Sequence, residues 1–390
     1  MQQTIALFLD AYRELNSKKL FWITMVLSVM IVAGFATVGL NEKGLTLLWW
    51  EFEFPVLNTT FIPTELFYKF MFAQLGVPIW LTWVATILAL VSTASIFPDF
   101  LASGSIELTL SKPISRTRLF LTKFATGLLF VAMQVFVFTF ACFLLIGFRG
   151  GAWEWRLFFA VPIVLLFFSY LFSIQSLLGL LTRSTIASLL LTMLIWFALF
   201  LLNTTEGIFL GQREAAVLTL ERTNARLEVE EKKAAEVLAK RKAAGEDLLV
   251  DGKLPDGAAD ELEAASYPLR IVRQSQKDAV KAAADWKRYY SFAFAAKTVF
   301  PKTSETIGLL DRHVINDEDR AILRRFSEEV DGRPRGERED GKARRGDIDV
   351  ETRVEDVLLT RSTGWILGTS IAFTGIVLLA CCVIFSRRDF

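Results

Sequence analysis

The chain has 390 residues, of which 53% are hydrophobic, with 34 Phe, 10 Trp and a formal net charge of +1. So high an apolar share at this length argues against an ordinary soluble domain, and the near-neutral charge gives no electrostatic footprint for nucleic acid. The three cysteines (Cys142, Cys381 and Cys382) all fall inside apolar runs and the only histidine is His313, so neither a disulfide framework nor a histidine-built metal site is expected.

Residues 4–19, TIALFLDAYRELNSKK, place Ile5, Phe8, Leu9, Tyr12 and Leu15 on one helical face and most of the charges elsewhere. A basic amphipathic helix lying in the membrane interface is expected, a frayed polar terminus being the plainer alternative. Six stretches without Asp, Glu, Lys or Arg then run at about 20–40, 76–97, 124–148, 157–182, 184–205 and 362–386. Each reaches the roughly 20 residues a helix needs to cross a bilayer. The first lacks an A-x-A-like cleavage site and reads as a retained span. The fold class expected is an all-α polytopic membrane protein with six transmembrane helices. The loop 41–75 is crowded with aromatic residues (LTLLWWEFEFP, FYKFMF), which favour the headgroup level, so it is expected to hug the outer membrane face. A carbohydrate- or lipid-stacking site is the alternative for these rings.

Between the second and third runs lies a dense polar knot, SGSIELTLSKPISRTRLFLTK (103–123). Basic residues in short loops resist translocation and so set orientation. With the N-terminus inside, Arg13, Lys18, Lys19, Lys112, Arg116, Arg118, Lys123, Arg183, Arg387 and Arg388 are cytoplasmic. Only Lys43, Lys69, Arg149 and Arg156 are then outside in short loops. Both termini and the knot are therefore expected in the cytoplasm of a cell-membrane protein, with a large segment outside between spans five and six.

That insert, 206–361, carries 29 Lys and Arg against 32 Asp and Glu, which again disfavours nucleic acid. Val217, Leu220, Asn224, Leu227, Glu231, Ala234 and Leu238 recur at alternating spacings of three and four. Leu269, Val272, Gln276, Ala279, Ala283, Trp286 and Tyr290 repeat the pattern, and DGKLPDG (251–257) supplies a turn between them. The pattern predicts an antiparallel helical hairpin over about 210–290 with an imperfect heptad seam. A partner helix on this seam and a plain solvated hairpin both stay open. Residues 291–310, apolar but broken by Pro301, are too short to span and are expected to be interfacial or re-entrant. Residues 331–349 are charge-dense and are expected to be flexible. The domain reading is thus 1–205 (interfacial helix, spans one to five, and the knot loop at about 98–123), 206–361 (the insert), and 362–390 (the sixth span and its tail).

GEREDGKA (336–343) has the Gly-x4-Gly-Lys frame of a phosphate-binding loop but ends in Ala343 where Ser or Thr should meet magnesium, and no strand precedes it. No ionisable group stands in the middle of a span, so a proton relay is not indicated. If the chain moves something, the energy is expected from another polypeptide.

In the knot and its surroundings, GSIELTLSKPISRTRLFLTKF (104–124), six apolar runs and the tail Phe-x-Arg-Arg-Asp (385–389) resemble the type-2 permeases of ATP-binding-cassette (ABC) transporters. The resemblance is strongest to the branch of nitrous-oxide-reductase maturation and gliding-motility permeases. It covers about 1–205 and 362–390; the long insert departs from the family pattern. Gly104, Glu107, Ser111, Lys112, Pro113, Ser115, Arg116 and Lys123 match the family's cytoplasmic coupling motif. The resemblance implies a non-enzymatic permease subunit, without catalytic residues, cofactor or metal of its own, ATP being bound by a cytoplasmic ABC ATPase partner. It also implies a second permease copy or a homologous permease, and export as the direction. The alternative is a non-transporting ABC-type subunit that transmits ATP-driven motion through the hairpin to an extracytoplasmic partner. An intramembrane hydrolase would need catalytic polar groups within the spans, where only scattered Ser and Thr stand.

Overall fold

The computed structural model describes residues 19–53, 57–101, 115–244, 257–330 and 341–387. The chain is mostly helical, and among the described residues six helices are long and apolar enough to cross a membrane, which marks it as membrane-embedded. They are α1 (Lys19–Thr37), α2 (Thr64–Leu101), α3 (Arg116–Gly150), α4 (Trp155–Thr182), α5 (Thr185–Ala243) and α11 (Thr363–Arg387). Between α5 and α11 come α6 (Ala258–Ala265), α7 (Tyr267–Thr298), α8 (Thr303–Val314), α9 (Asp317–Val330) and α10 (Gly341–Thr360). The interfacial helix expected over residues 4–19 lies outside the described residues, apart from Lys19, which opens α1.

The chain divides into two compact units: residues 1–201, 298–337 and 361–390, and residues 202–297 with 338–360. The first holds the apolar core. Phe138, Phe167, Phe168, Leu171 and Phe172 are fully buried there, together with Cys381 and Phe385 of α11. Most polar residues inside this core bind one another or backbone, because lipid offers no hydrogen-bond partner; Gln134 and Thr139 of α3 are buried without one among the described residues. Trp80 Nε1 donates to Ser28 Oγ (3.1 Å), and Gln175 Nε2 donates to the Leu90 carbonyl (2.9 Å) while Thr93 Oγ1 donates to Gln175 Oε1 (3.2 Å). Gly127 lets α3 and α4 approach closely: a Cβ there would stand 2.6 Å from the ring of Phe172.

Two expectations about the aromatic stretch 41–75 need correction. Within a mostly helical chain that fits an all-α membrane protein, β1 (Val38–Leu40), β2 (Gly44–Leu47) and β3 (Trp50–Glu53) form a small antiparallel meander, with Val38 opposite Leu47 and Gly44 opposite Glu53. Its first turn is closed by Asn41, whose side-chain oxygen accepts from the backbone N–H groups of Lys43 (3.0 Å) and Gly44 (2.8 Å). Part of what reads as an aromatic surface loop is therefore a sheet, with Trp49 and Trp50 exposed on it. Secondly, α2 starts at Thr64 and carries Glu65 and Lys69, so these charges belong to the helix and not to a loop. Its backbone is π-helical over Met71–Ala85, around Pro78, which has no N–H to give. Of the charge-dense stretch 331–349, residues 341–349 form the start of α10; residues 331–340 lie outside the described residues.

In the second unit, the partners of α5 rise in number as those of α7 and α6 fall. Lys297 binds Glu206, Arg213 lies over Tyr290, Gln276 Nε2 donates to Asn224 Oδ1, Arg273 binds Glu231 and Lys242 binds Glu261. The two long helices therefore run antiparallel, and α10 joins through Arg353 and Glu221. On α7, Leu269, Val272, Gln276, Ala279, Ala283, Trp286 and Tyr290 are all withdrawn from solvent, and Ala293 and Lys297 extend the same line.

Candidate functional site

Five of the motif residues of the knot, Gly104, Glu107, Ser111, Lys112 and Pro113, lie outside the described residues. The chain leaves the described structure at Leu101, the end of α2, and re-enters at Ser115, just before α3. Ser115 is the N-cap of α3: its Oγ accepts from the backbone N–H of Arg118 at 3.3 Å, satisfying one of the donors a helix start leaves unpaired. Arg116 donates from Nη1 to the Ser386 carbonyl at 3.3 Å, joining the start of α3 to the end of α11. The Lys123 ammonium stands 5.7 Å from the centroid of the Phe100 ring.

Phenylalanines lock the ends of these helices together. Phe97 lies 4.8 Å from Phe120, Phe124 lies 4.8 Å from Phe172, and Phe385 lies about equally far from Phe100 (6.0 Å) and Phe120 (6.1 Å). All six rings are buried. Offset and tilted ring pairs of this kind add to simple area burial. The described flanks of the knot thus meet in a cluster drawn from α2, α3, α4 and α11. The structure brings Ser115, Arg116 and Lys123 to its rim.

Buried charges elsewhere in the first unit were not visible as a group in the sequence. Lys69, 3% exposed, binds Glu65 (2.5 Å) and Glu154 (2.9 Å) and approaches Asp319 (3.6 Å). Only the Glu65–Lys69 spacing of four could have signalled part of this cluster. Lys302 is fully buried, donating to the carbonyls of Thr298 (2.6 Å) and Phe300 (2.8 Å) with its ammonium 4.9 Å from the centre of the Trp365 ring. Arg361 binds Glu305 at 2.7 Å, and Arg312 Nη1 donates to the Arg361 carbonyl at 2.9 Å. Beside them, burial pushes the Asp311 carboxyl up to about 6, against the pull of Arg320. These groups fasten α8 and α9 to the helical core; they are joints, with no reacting geometry among them.

Residues 19–210 match the model of a family described as a protein of unknown function (DUF2705). The matched stretch runs from α1 through the first five candidate spans and ends within α5. No curated protein and no solved structure matches the chain. The family description names no activity, so the chemistry of the site has to carry the reading.

Proposed function

We propose that the chain is the membrane-spanning, non-enzymatic subunit of an ABC-type transporter, working as a permease dimer with separate cytoplasmic ATPase subunits and exporting its substrate. The knot faces the cytoplasm in this reading, and the segment between the fifth and sixth spans is extracytoplasmic. The observation that carries it is the pattern Gly104, Glu107, Lys112, Pro113, Ser115, Arg116 and Lys123, ending at a capped helix. The physics fits a coupling role. A cytoplasmic ATPase that closes on ATP must press on something that does not bend, and the six-ring cluster joins the flanks of the knot to four helices at once. Arg116, bridged to the last turn of α11, would spread that motion further.

The test is co-purification with candidate cytoplasmic ABC ATPase subunits from the same cell. At least one should bind and gain ATPase activity; none doing so sinks the reading. Arg116→Glu should then lower the stimulated ATPase rate without blocking insertion, because Lys112, Arg118 and Lys123 keep the knot net positive. A variant that stimulates like the parent would make the knot an orientation anchor only.

The antiparallel pairing of α5 with α7 favours one second reading, in which the same ATP-driven motion works on an extracytoplasmic partner through the hairpin and nothing is transported. Deleting 210–288 separates the two: transport that survives the deletion argues against the hairpin as the working part.

A further inference from the structure

One end of the second unit is unlike the rest of it. Within about two turns, α7 carries Trp286, Tyr289, Tyr290, Phe292 and Phe294, and α5 adds Ile208 and Phe209. Some of these rings pack between the helices: Phe209 lies 5.9 Å from Trp286 and 6.3 Å from Tyr289, and Arg213 lies 4.4 Å above the Tyr290 ring. Ile208 and Phe292 turn outward, and Tyr289 is covered on one side only. Phe292 is 78% exposed, Ile208 56% and Tyr289 52%. Water is a poor neighbour for three such side chains so close together, and the unit's other elements leave them bare.

Order along α7 identifies what covers them. Arg270, Lys277, Lys281 and Arg288 are spaced by seven, four and seven residues, so they share one face, and Phe292 continues that face one turn beyond Arg288. Going toward the C-terminus of α7, the exposed surface therefore changes from charged, with these bases outnumbering Asp278 and Asp285 beside them, through the Trp–Tyr level at 286–290, to apolar. This is the sequence of side chains that a helix meets on passing from water through headgroups into hydrocarbon: bases above, Trp and Tyr at the boundary, Phe and Ile below. Past that boundary the remaining charges are hidden from any medium. Lys297 and Glu206 bind each other at 3.0 Å with side chains 4% and 2% exposed, as ionisable groups in a membrane must. On α5, Glu206 directly follows the apolar run 184–205.

We infer that the end of the hairpin is immersed in the bilayer, with the water–lipid boundary at Trp286–Tyr290 and anionic headgroups against Lys287 and Arg288. The partner of this surface is lipid. The inference stands independently of the proposed transport role.

The test uses the full chain in vesicles of phosphatidylethanolamine and phosphatidylglycerol, with Cys142, Cys381 and Cys382 changed to Ala. Nitroxide labels are placed singly through Phe292→Cys, Ile208→Cys and Lys277→Cys. Collision rates with oxygen, which concentrates in lipid, and with a water-soluble nickel chelate, which is excluded from it, are then compared. The labels at 292 and 208 should favour oxygen severalfold, and the label at 277 should favour the chelate by a similar factor. Two sites on different helices guard against one variant that fails to fold. Labels at 292 and 208 that meet the chelate as freely as the one at 277 would place this end in water. Labels there that meet neither reagent would put protein over it. Either result overturns the inference. Replacing phosphatidylglycerol with a neutral lipid should raise chelate access to a label at Tyr289, and Lys287→Gln with Arg288→Gln should abolish that lipid dependence; a lipid dependence that survives both changes removes the headgroup contact.

Discussion

Lys69 is shared by three carboxylates from separate parts of the chain: Glu65 on its own helix, Glu154 just before α4 and Asp319 at the start of α9. Removing one member of a buried ion pair leaves an uncompensated charge, at a cost of about 3–5 kcal/mol. Lys69→Met should therefore lower the thermal midpoint in detergent markedly, the partial exposure of Glu65 softening the effect, whereas Lys69→Arg should recover much of the loss. A Lys69→Met midpoint equal to the parent's would mean that the cluster is held by other contacts. Asp311 behaves oppositely. Its folded carboxyl titrates near 6, above the ordinary value of 3.8, so the stability it contributes is fully present below about 4 and is lost as pH rises through about 6. At neutral pH that loss is at most roughly 3 kcal/mol, from a shift of about two units. Asp311→Asn should raise the midpoint at pH 7 and flatten its dependence between pH 4 and 6. An unchanged slope would exclude this group as its source.

Among the elements, the pairing of α5 with α7 separates what periodicity can and cannot reveal. Alternating spacings of three and four give the buried line of α7 from Leu269 to Tyr290, because burial in a helix pair repeats every 3.5 residues. They do not reveal Lys297 and Glu206, since a charge in a seam looks like an interruption until its partner on the other helix is known. The β1–β3 meander was missed for a related reason: strands of three and four residues, rich in aromatics, resemble a membrane-surface loop. The cue was local, in the alternation of Trp50, Glu51, Phe52 and Glu53 and in the Asn41–Gly44 turn. For the buried pair, Lys297→Ala should cost about 3–5 kcal/mol by stranding Glu206, while Glu206→Leu with Lys297→Met should be close to neutral or stabilising. Thermal loss of helical circular dichroism on the single and double variants checks this. A double variant as unstable as the single would show that the charges themselves, and not their pairing, hold the helices.

For the whole molecule, the six spans were legible because 20 apolar residues without a charge have few other uses. The attachment of α8 was not, because it depends on Lys302 meeting Trp365 and Arg361 meeting Glu305 across about 60 residues of sequence. The rim of the candidate site was legible in part. Ser115 and Arg116 stand out by residue type and spacing, whereas the phenylalanines that hold the rim together are six among 34 and carry no mark in the sequence. Orientation rests on the distribution of Lys and Arg alone, and it is the proposition on which the proposed function most depends. An ATPase can reach the knot only if the knot is cytoplasmic. With six spans the segment between the fifth and sixth must then lie on the other side. Single cysteines introduced by Ser115→Cys and Ala258→Cys, in a chain whose native cysteines are replaced, should differ in access to a membrane-impermeant maleimide on intact cells, or on spheroplasts where an outer membrane intervenes. The cysteine at 258 should label at once and the one at 115 only after permeabilisation. The charge difference at stake is large, ten basic residues flanking the spans on one side against four on the other, so a mixed population is not expected. Labelling of both positions from outside would leave the knot beyond the reach of any cytoplasmic ATPase. Labelling of neither would bring the hairpin into the cytoplasm beside it and remove one crossing from the membrane.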